Sequence, residues 1–212
     1  MALVRGLPDS LDVLEVTPLA GGVYSARLVP ELTLLLERNG IQKRDLEGMI
    51  VISGPGSFTG LRVGLAAVKG LAEILRIPIV AVSMLEVIAA HSNADGHVIA
   101  ALDGGRREVF VGEYEVHLSQ PKPVRESLVS REEFLALLDA HVDAELISPC
   151  SDLCQLANFH LRVRQIEWPD AGRMARVGFD RICSGKTISP EALEANYIRR
   201  SDAEMSAFPR PR

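Results

Sequence analysis

The sequence predicts an α/β fold in two lobes. Short β-rich apolar runs alternate with amphipathic helical stretches, and a polar break near residues 93–96 separates two such series. The length of 212 residues leaves room for one or two domains of about 100–200 residues, each able to bury a core. Apolar residues make up 47% of the chain and charged ones 24%, an ordinary globular composition that excludes disorder for its body. Residues 1–95 are expected to form an N-terminal lobe, and residues 96–212 a C-terminal lobe with a hairpin and a terminal helix.

The elements follow in order. The first twenty-two residues carry the faintest pattern: 11–16 alternates as a strand, and Gly21-Gly22 reads as the turn after it. Residues 24–39 read as a helix with Leu28, Leu32, Leu35 and Leu36 on one face and Gly40 as its stop. Pro30 falls inside it, so it should bend the helix or lie in its first turn. Residues 49–52 are a strand, 53–60 pack three glycines and a proline into a turn, and an Ala/Leu/Val-rich helix runs to about residue 76. Gly54 and Gly56 flank Pro55, so the chain can take backbone angles closed to other residues while the proline holds one of them. Ser57 and Thr59 can cap the free amides that open the helix.

Residues 77–82 are the next strand, and Ser83-x-x-Glu86 reads as a capping box opening a helix to about residue 91. Two alternating strands, 98–102 and 108–114, are joined across Asp103-Gly104-Gly105-Arg106. From 120 to 123 the chain loosens. Ser130 and Glu133 cap a helix to residue 140, 144–147 is a short strand, 152–161 is helical, and 163–166 is strand-like. Asp170 caps a helix to residue 184 with Gly185 as its stop, residues 189–200 lead to Asn196-Tyr197-Ile198-Arg199-Arg200, and 208–212 is a frayed tail.

The strand, glycine loop and helix around residues 51–70 raise the question of an anion site, since free amides at a helix N-terminus attract phosphate. The spacing Gly54-x-Gly56-x-x-x-Gly60 misses the dinucleotide fingerprint by one residue, and no Lys-Ser/Thr pair ends the loop as in a P-loop. A structural turn is the better reading. Within the helix, Gly60, Gly64 and Ala67 share a face, with Gly70 nearby. A glycine inside a helix costs about 1 kcal/mol against alanine, so this face needs an offsetting close approach of another backbone. Its source is either the chain's own sheet or a second helix across a subunit interface.

Catalytic constellations are missing from the pattern. The five histidines, His91, His97, His117, His141 and His160, never stand at i and i+4 around a carboxylate, as a helical metal site would need. In Ser53-Gly54-Pro55-Gly56-Ser57 the centre of a nucleophile elbow is held by Pro55, and Ser57 is accounted for by capping. Asp103 fits a turn aspartate better than a metal-phosphate ligand. Cys150, Cys154 and Cys183 make neither a disulfide framework nor a zinc pattern and read as free thiols. A net charge of -5 argues against strong nucleic-acid binding, and Arg162, Arg164, Arg173, Arg176 and Arg181 read as a solvated helix face. With no secretory signal and no long apolar run, a cytoplasmic protein is expected.

The segment GPGSFTGLRVGLAAVKGLA, residues 54–72, resembles the signature of the bacterial TsaB (YeaZ) family, and Arg27, Leu28 and Pro30 extend the likeness. The hairpin around Asp103 and the terminal Asn196-Tyr197-Ile198-Arg199-Arg200 are similar to family features as well. The resemblance implies a two-lobed fold of the actin, hexokinase and Hsp70-like (ASKHA) superfamily, in its glycoprotease-like branch. Family members open with an apolar strand ending in Asp-Thr-Ser, which Asp9-Ser10 does not match, so the first lobe is expected to be shortened at its start.

The function implied is that of a non-catalytic dimerisation subunit, a pseudoenzyme supporting threonylcarbamoyl transfer to adenosine 37 of tRNA (t6A modification). Its partners would be a TsaD-type catalytic subunit, a TsaE-type ATPase subunit and, in their absence, a second copy of itself, with tRNA met indirectly. No cofactor is expected on this chain alone, ATP and Mg²⁺ belonging to the complex. The interface is expected on Gly54, Pro55, Gly56, Ser57, Phe58, Thr59, Gly60, Arg62, Gly64, Ala67, Arg27 and Leu28. The alternative is a nucleotide-dependent kinase or peptidase of the same superfamily.

Overall fold

The computed structural model describes residues 1–7, 10–19, 24–157 and 161–198. The expected turn at Gly21-Gly22, His160, Arg199-Arg200 and the tail at 208–212 lie outside the described residues. The chain forms two compact units: Met1–Val87 with Glu167–Ala195, and Ile88–Ile166 with Asn196–Arg212. This differs from the expected division at residue 95, because the helix near the C-terminus buries its apolar face in the first unit. Sequence order does not reveal which core a late helix will choose.

In the first unit, β1 (Ala2–Leu7) and β2 (Ser10–Val16) form an antiparallel hairpin, and β3 (Met49–Gly54) pairs in parallel with β4 (Ile79–Ser83). β1 was not expected; its run Ala-Leu-Val-Arg-Gly-Leu is too short and irregular to read alone. Helix α1 (Tyr24–Arg38) lays Leu32, Leu35 and Leu36 against Leu3 and Leu14 of the hairpin. It runs through Pro30, which is exposed. Helix α2 (Phe58–Leu75) covers one face of the parallel pair through Leu65, Val68 and Ala72 packed with Val51, Ile79 and Ala81. Helix α6 (Ala171–Cys183) covers the other, setting Met174, Val177 and Ile182 against Ile50, Val80 and Val82. Parallel strands buried on both faces explain why 49–52 and 79–82 read as continuous apolar runs.

Short helix α3 (Met84–Ala89) follows β4. Ser83 Oγ accepts from the Leu85 amide at 3.2 Å at the start of α3, and buried Glu86 pairs with Arg181. After α6, the Ile188 bridge to Ile79 and buried Leu193 mark an irregular segment that packs on the first unit.

The second unit is a five-stranded sheet of order β7-β6-β5-β8-β9. β5 (Gly96–Gly105), β6 (Glu108–His117) and β7 (Gln120–Ser130) are antiparallel; β8 (Glu145–Ser148) and β9 (Arg162–Gln165) continue it in parallel. Strand β7 stands where the chain was expected to loosen. Pro121 and Pro123 hid it, yet they are tolerated because β7 is an edge strand. The β5–β6 turn is set by Arg106 and Arg107, both at positive φ, one step beyond the expected Asp103–Arg106 tip. Helix α4 (Arg131–Ala140) opens on the expected capping box, Ser130 Oγ accepting from the Glu133 amide at 3.1 Å. Its Phe134 and Leu138, with Leu153 of the single turn α5 (Ser151–Cys154), bury Ile99, Ala101, Val109, Val111 and Leu146. The longer helix expected over 152–161 stops after that turn.

Candidate functional site

The glycine loop and α2 form one continuous feature. Buried Gly54 ends β3 with a φ of 141°, a conformation that favours glycine, and Pro55 after it is buried too. Ser53 Oγ donates to the Val82 carbonyl at 3.3 Å, tying the strand end to β4. Gly56, Ser57, Phe58 and Thr59 are exposed. Ser57 caps α2 as expected, its Oγ accepting from the Gly60 amide at 3.4 Å. The Arg62 guanidinium stacks over the Phe58 ring, 3.8 Å from its centroid. The loop therefore fixes where α2 begins, and Leu65 and Ala72 fix which face it buries.

The remaining face answers the question raised by the glycines. Among the described residues, a Cβ built on Gly64 or Gly70 would meet nothing within 4 Å, and one on Gly60 would meet only Ser57, at 3.5 Å. The chain's own sheet is therefore not the backbone that these small residues admit. Ala67 is half-buried and Ile74, one turn beyond Gly70, is 79% exposed. Helix α1 packs beside α2. It holds Arg27, exposed and paired with Glu31 at 2.6 Å, and half-buried Leu28, and it leaves Val29 and Leu34 exposed. Val29, Leu34 and Ile74 were not among the expected interface residues. A signal was present for two of them: Leu34 and Ile74 are apolar but fall off the helical stripes that fill the core.

Groups with catalytic potential are tied to local roles. Asp103 Oδ1 accepts from the Gly105 amide at 2.9 Å, a turn contact of the kind its position implied. Cys150 and Cys154 are half-buried and Cys183 is exposed, all free; burial, and then Cys150, push the Cys154 thiol above its ordinary value. The arginines expected on a solvated face act largely as struts. Arg176 donates to the Leu11 carbonyl at 3.1 Å, Arg181 to the Ala81 carbonyl at 3.3 Å, and Arg164 to Glu145 at 2.7 Å. Among the described residues, no helix is long and apolar enough to cross a membrane.

An α/β chain of two units, in which a strand, a glycine loop and a helix with an open small-residue face organise the first, is the class of protein defined here. Its fold is shared with solved structures: "YeaZ from Pseudomonas aeruginosa" superposes with a TM-score of 0.73 at 22% identity, over 92% of this chain and 93% of that one. A Pseudomonas aeruginosa protein described as similar to peptidase YEAZ gives 0.75 at 20% identity, over 93% and 94%. The family model described as "TsaD: tRNA N6-adenosine threonylcarbamoyltransferase" matches residues 18–146, more than half the chain. The chain belongs to that family. Among curated relatives it is similar to the Bacillus subtilis "tRNA threonylcarbamoyladenosine biosynthesis protein TsaB", 40% identical over 93 residues, 43% of this chain and 41% of that protein. The Escherichia coli protein of the same name is 27% identical over 190 residues, 85% of this chain and 82% of its own length. The Bacillus match thus spans less than half of that relative, whereas the Escherichia match spans most of its own.

Proposed function

We propose that this chain is a TsaB-type subunit that supports threonylcarbamoyl transfer to adenosine 37 of tRNA without carrying out the transfer itself. The relatives named for threonylcarbamoyladenosine biosynthesis support the process. The observation that carries the subunit role is the open face of α2, where among the described residues nothing lies within 4 Å of a Cβ built on Gly64 or Gly70. Glycines that lower helix stability without admitting a neighbour from the same unit are accounted for by a neighbour from another chain. The engagement of Ser57 and Asp103 in a cap and a turn supports a non-catalytic role. The docking partner is a TsaD-type catalytic subunit, or a second copy of this chain when that subunit is missing. A TsaE-type ATPase completes the assembly, and ATP with Mg²⁺ acts at the level of the complex.

Reconstitution tests the reading. The chain with its cognate catalytic and ATPase subunits, tRNA, ATP and threonylcarbamoyl-adenylate should yield modified tRNA only when every protein is present. Undiminished modification without this chain overturns the proposal, and tight ATP binding by the isolated chain favours a nucleotide-dependent enzyme instead. Gly64→Leu should weaken association at least about ten-fold, an interface loss of about 1.4 kcal/mol or more, while the chain stays folded. An unchanged assembly mass in analytical ultracentrifugation would place the interface elsewhere.

A further inference from the structure

Cys150 and Cys154 are two free thiols that the subunit role leaves unused, and the fold holds them as the N-cap and the last residue of the single turn α5. Buried Ser148, at the end of β8, anchors both. Its Oγ donates to the Ala101 carbonyl at 2.8 Å and accepts from the Cys150 amide at 3.0 Å, and its carbonyl accepts from Cys154 Sγ at 3.7 Å. The Cys154 amide donates to the Cys150 carbonyl at 3.2 Å, so the turn between them is α-helical. Leu153, on the same turn, is buried in the core of the second unit and fixes how the turn is rotated over the sheet.

Helical rise and radius put the two Cα atoms roughly 6 Å apart, inside the span of roughly 4.4–6.8 Å that a disulfide bridges. The side chains converge further. Cys150 has the extended backbone of an N-cap, with φ -90° and ψ 107°, which turns a side chain forward over the first turn, yet it makes no side-chain capping bond. Cys154 lies four residues on, where the Cα–Cβ bond of a helical residue leans back toward the N-terminus. Both thiols are half-buried, so a small reagent can reach them. Cys183 is the contrast: exposed at the end of α6, it has no second cysteine within a helical turn.

We propose that Cys150 and Cys154 form a reversible disulfide that clips α5, exchanging electrons with small-molecule disulfides and thiols of the glutathione type. The Cys150 thiolate attacks one sulfur of the small disulfide, whose S–S bond breaks to release one thiolate and leave a mixed disulfide on Cys150. Cys154 then attacks the Cys150 sulfur and displaces the second small thiolate. Two protein thiols thereby lose two electrons and two protons, and one small disulfide takes them up as two thiols. Burial, and then Cys150, raise the Cys154 thiol above its ordinary value, which suits it to the second displacement, where proximity makes up for scarce thiolate.

The test uses the full chain, equilibrated at about 1 mM total glutathione over a series of oxidised-to-reduced ratios, then acid-quenched, alkylated and read by mass spectrometry. Trypsin releases both cysteines on one peptide, residues 132–162, and Cys183 on another, residues 182–186. The first peptide should lose two hydrogens without keeping glutathione. It should do so at a ratio at least about ten-fold lower than the one at which Cys183 takes up glutathione, because its second thiol is already in place. Cys154→Ser should stop Cys150 at the glutathione adduct, with circular dichroism checking the fold, and excess reduced glutathione should restore both thiols of the unsubstituted chain. Glutathione held on both Cys150 and Cys154, a disulfide made to Cys183 or to a second chain instead, or an internal disulfide that needs the same ratio as the Cys183 adduct overturns the assignment.

Discussion

Helices α2 and α6 both carry glycines in their interiors, and the glycines have opposite causes. In α6 a Cβ on Gly178 would sit 2.6 Å from Ile50 Cγ2 and 3.1 Å from Val82 Cγ2, and one on Gly172 would sit 3.2 Å from Val13 Cγ1. These glycines let the helix press onto β2, β3 and β4, so their loss of helix propensity is offset inside the same unit. In α2 the positions of Gly64 and Gly70 open onto space. The same residue type at similar helical positions therefore marks a packed face in one helix and an uncovered one in the other.

Substitutions that break this contrast fall in a clear order. The largest effect belongs to Gly178→Ala, which forces a methyl into Ile50 and should destabilise the chain by about 1–3 kcal/mol despite better helix propensity. Denaturant unfolding would measure it, and unchanged stability would mean that Ile50 yields freely. Gly64→Ala and Gly70→Ala should act in the other direction, each stabilising the isolated chain by up to about 1 kcal/mol, because only propensity changes. A loss of stability there would show that α2 is covered within its own chain.

The smallest effect concerns the hairpin that α6 presses upon. Glu15 on β2 is held below the ordinary glutamate range by hydrogen bonds from the Arg38 guanidinium first and from Asn39 next. A carboxyl lowered on folding contributes stability above its unfolded value, and that contribution is lost as pH falls through the lowered value. Glu15→Gln should accordingly flatten the decline in stability below about pH 4, leaving the shape near neutrality the same. Unfolding curves of the two proteins that stay parallel through the acid range would show that the Arg38 contact carries no net stability.

Much of this architecture was legible residue by residue. The stripe Leu28, Leu32, Leu35 and Leu36 announced α1, the pair Ser130 and Glu133 announced α4, and Asp170 with Gly185 bracketed α6, because caps and amphipathic stripes are local signals. Strand β7 was hidden because its prolines are forbidden in a central strand but allowed at an edge, and edge position is a property of the sheet. Glu86 read as the last residue of a capping box, and its charged partner Arg181, far along the chain, was announced by no local pattern. Leu34 and Ile74 could be read as off-stripe, but that they and Val29 stay exposed is a property of the folded unit.

By itself, then, the sequence determined the α/β alternation, the loop that starts α2 and the likeness of residues 54–72 to a known family, all carried by short-range pattern. Tertiary structure alone decided that Glu167–Ala195 joins the first unit and that Gly178 is packed while Gly64 is open. Each depends on which surfaces the folded chain brings together, and a glycine carries the same local signal whether its neighbour is a side chain from another strand or open space.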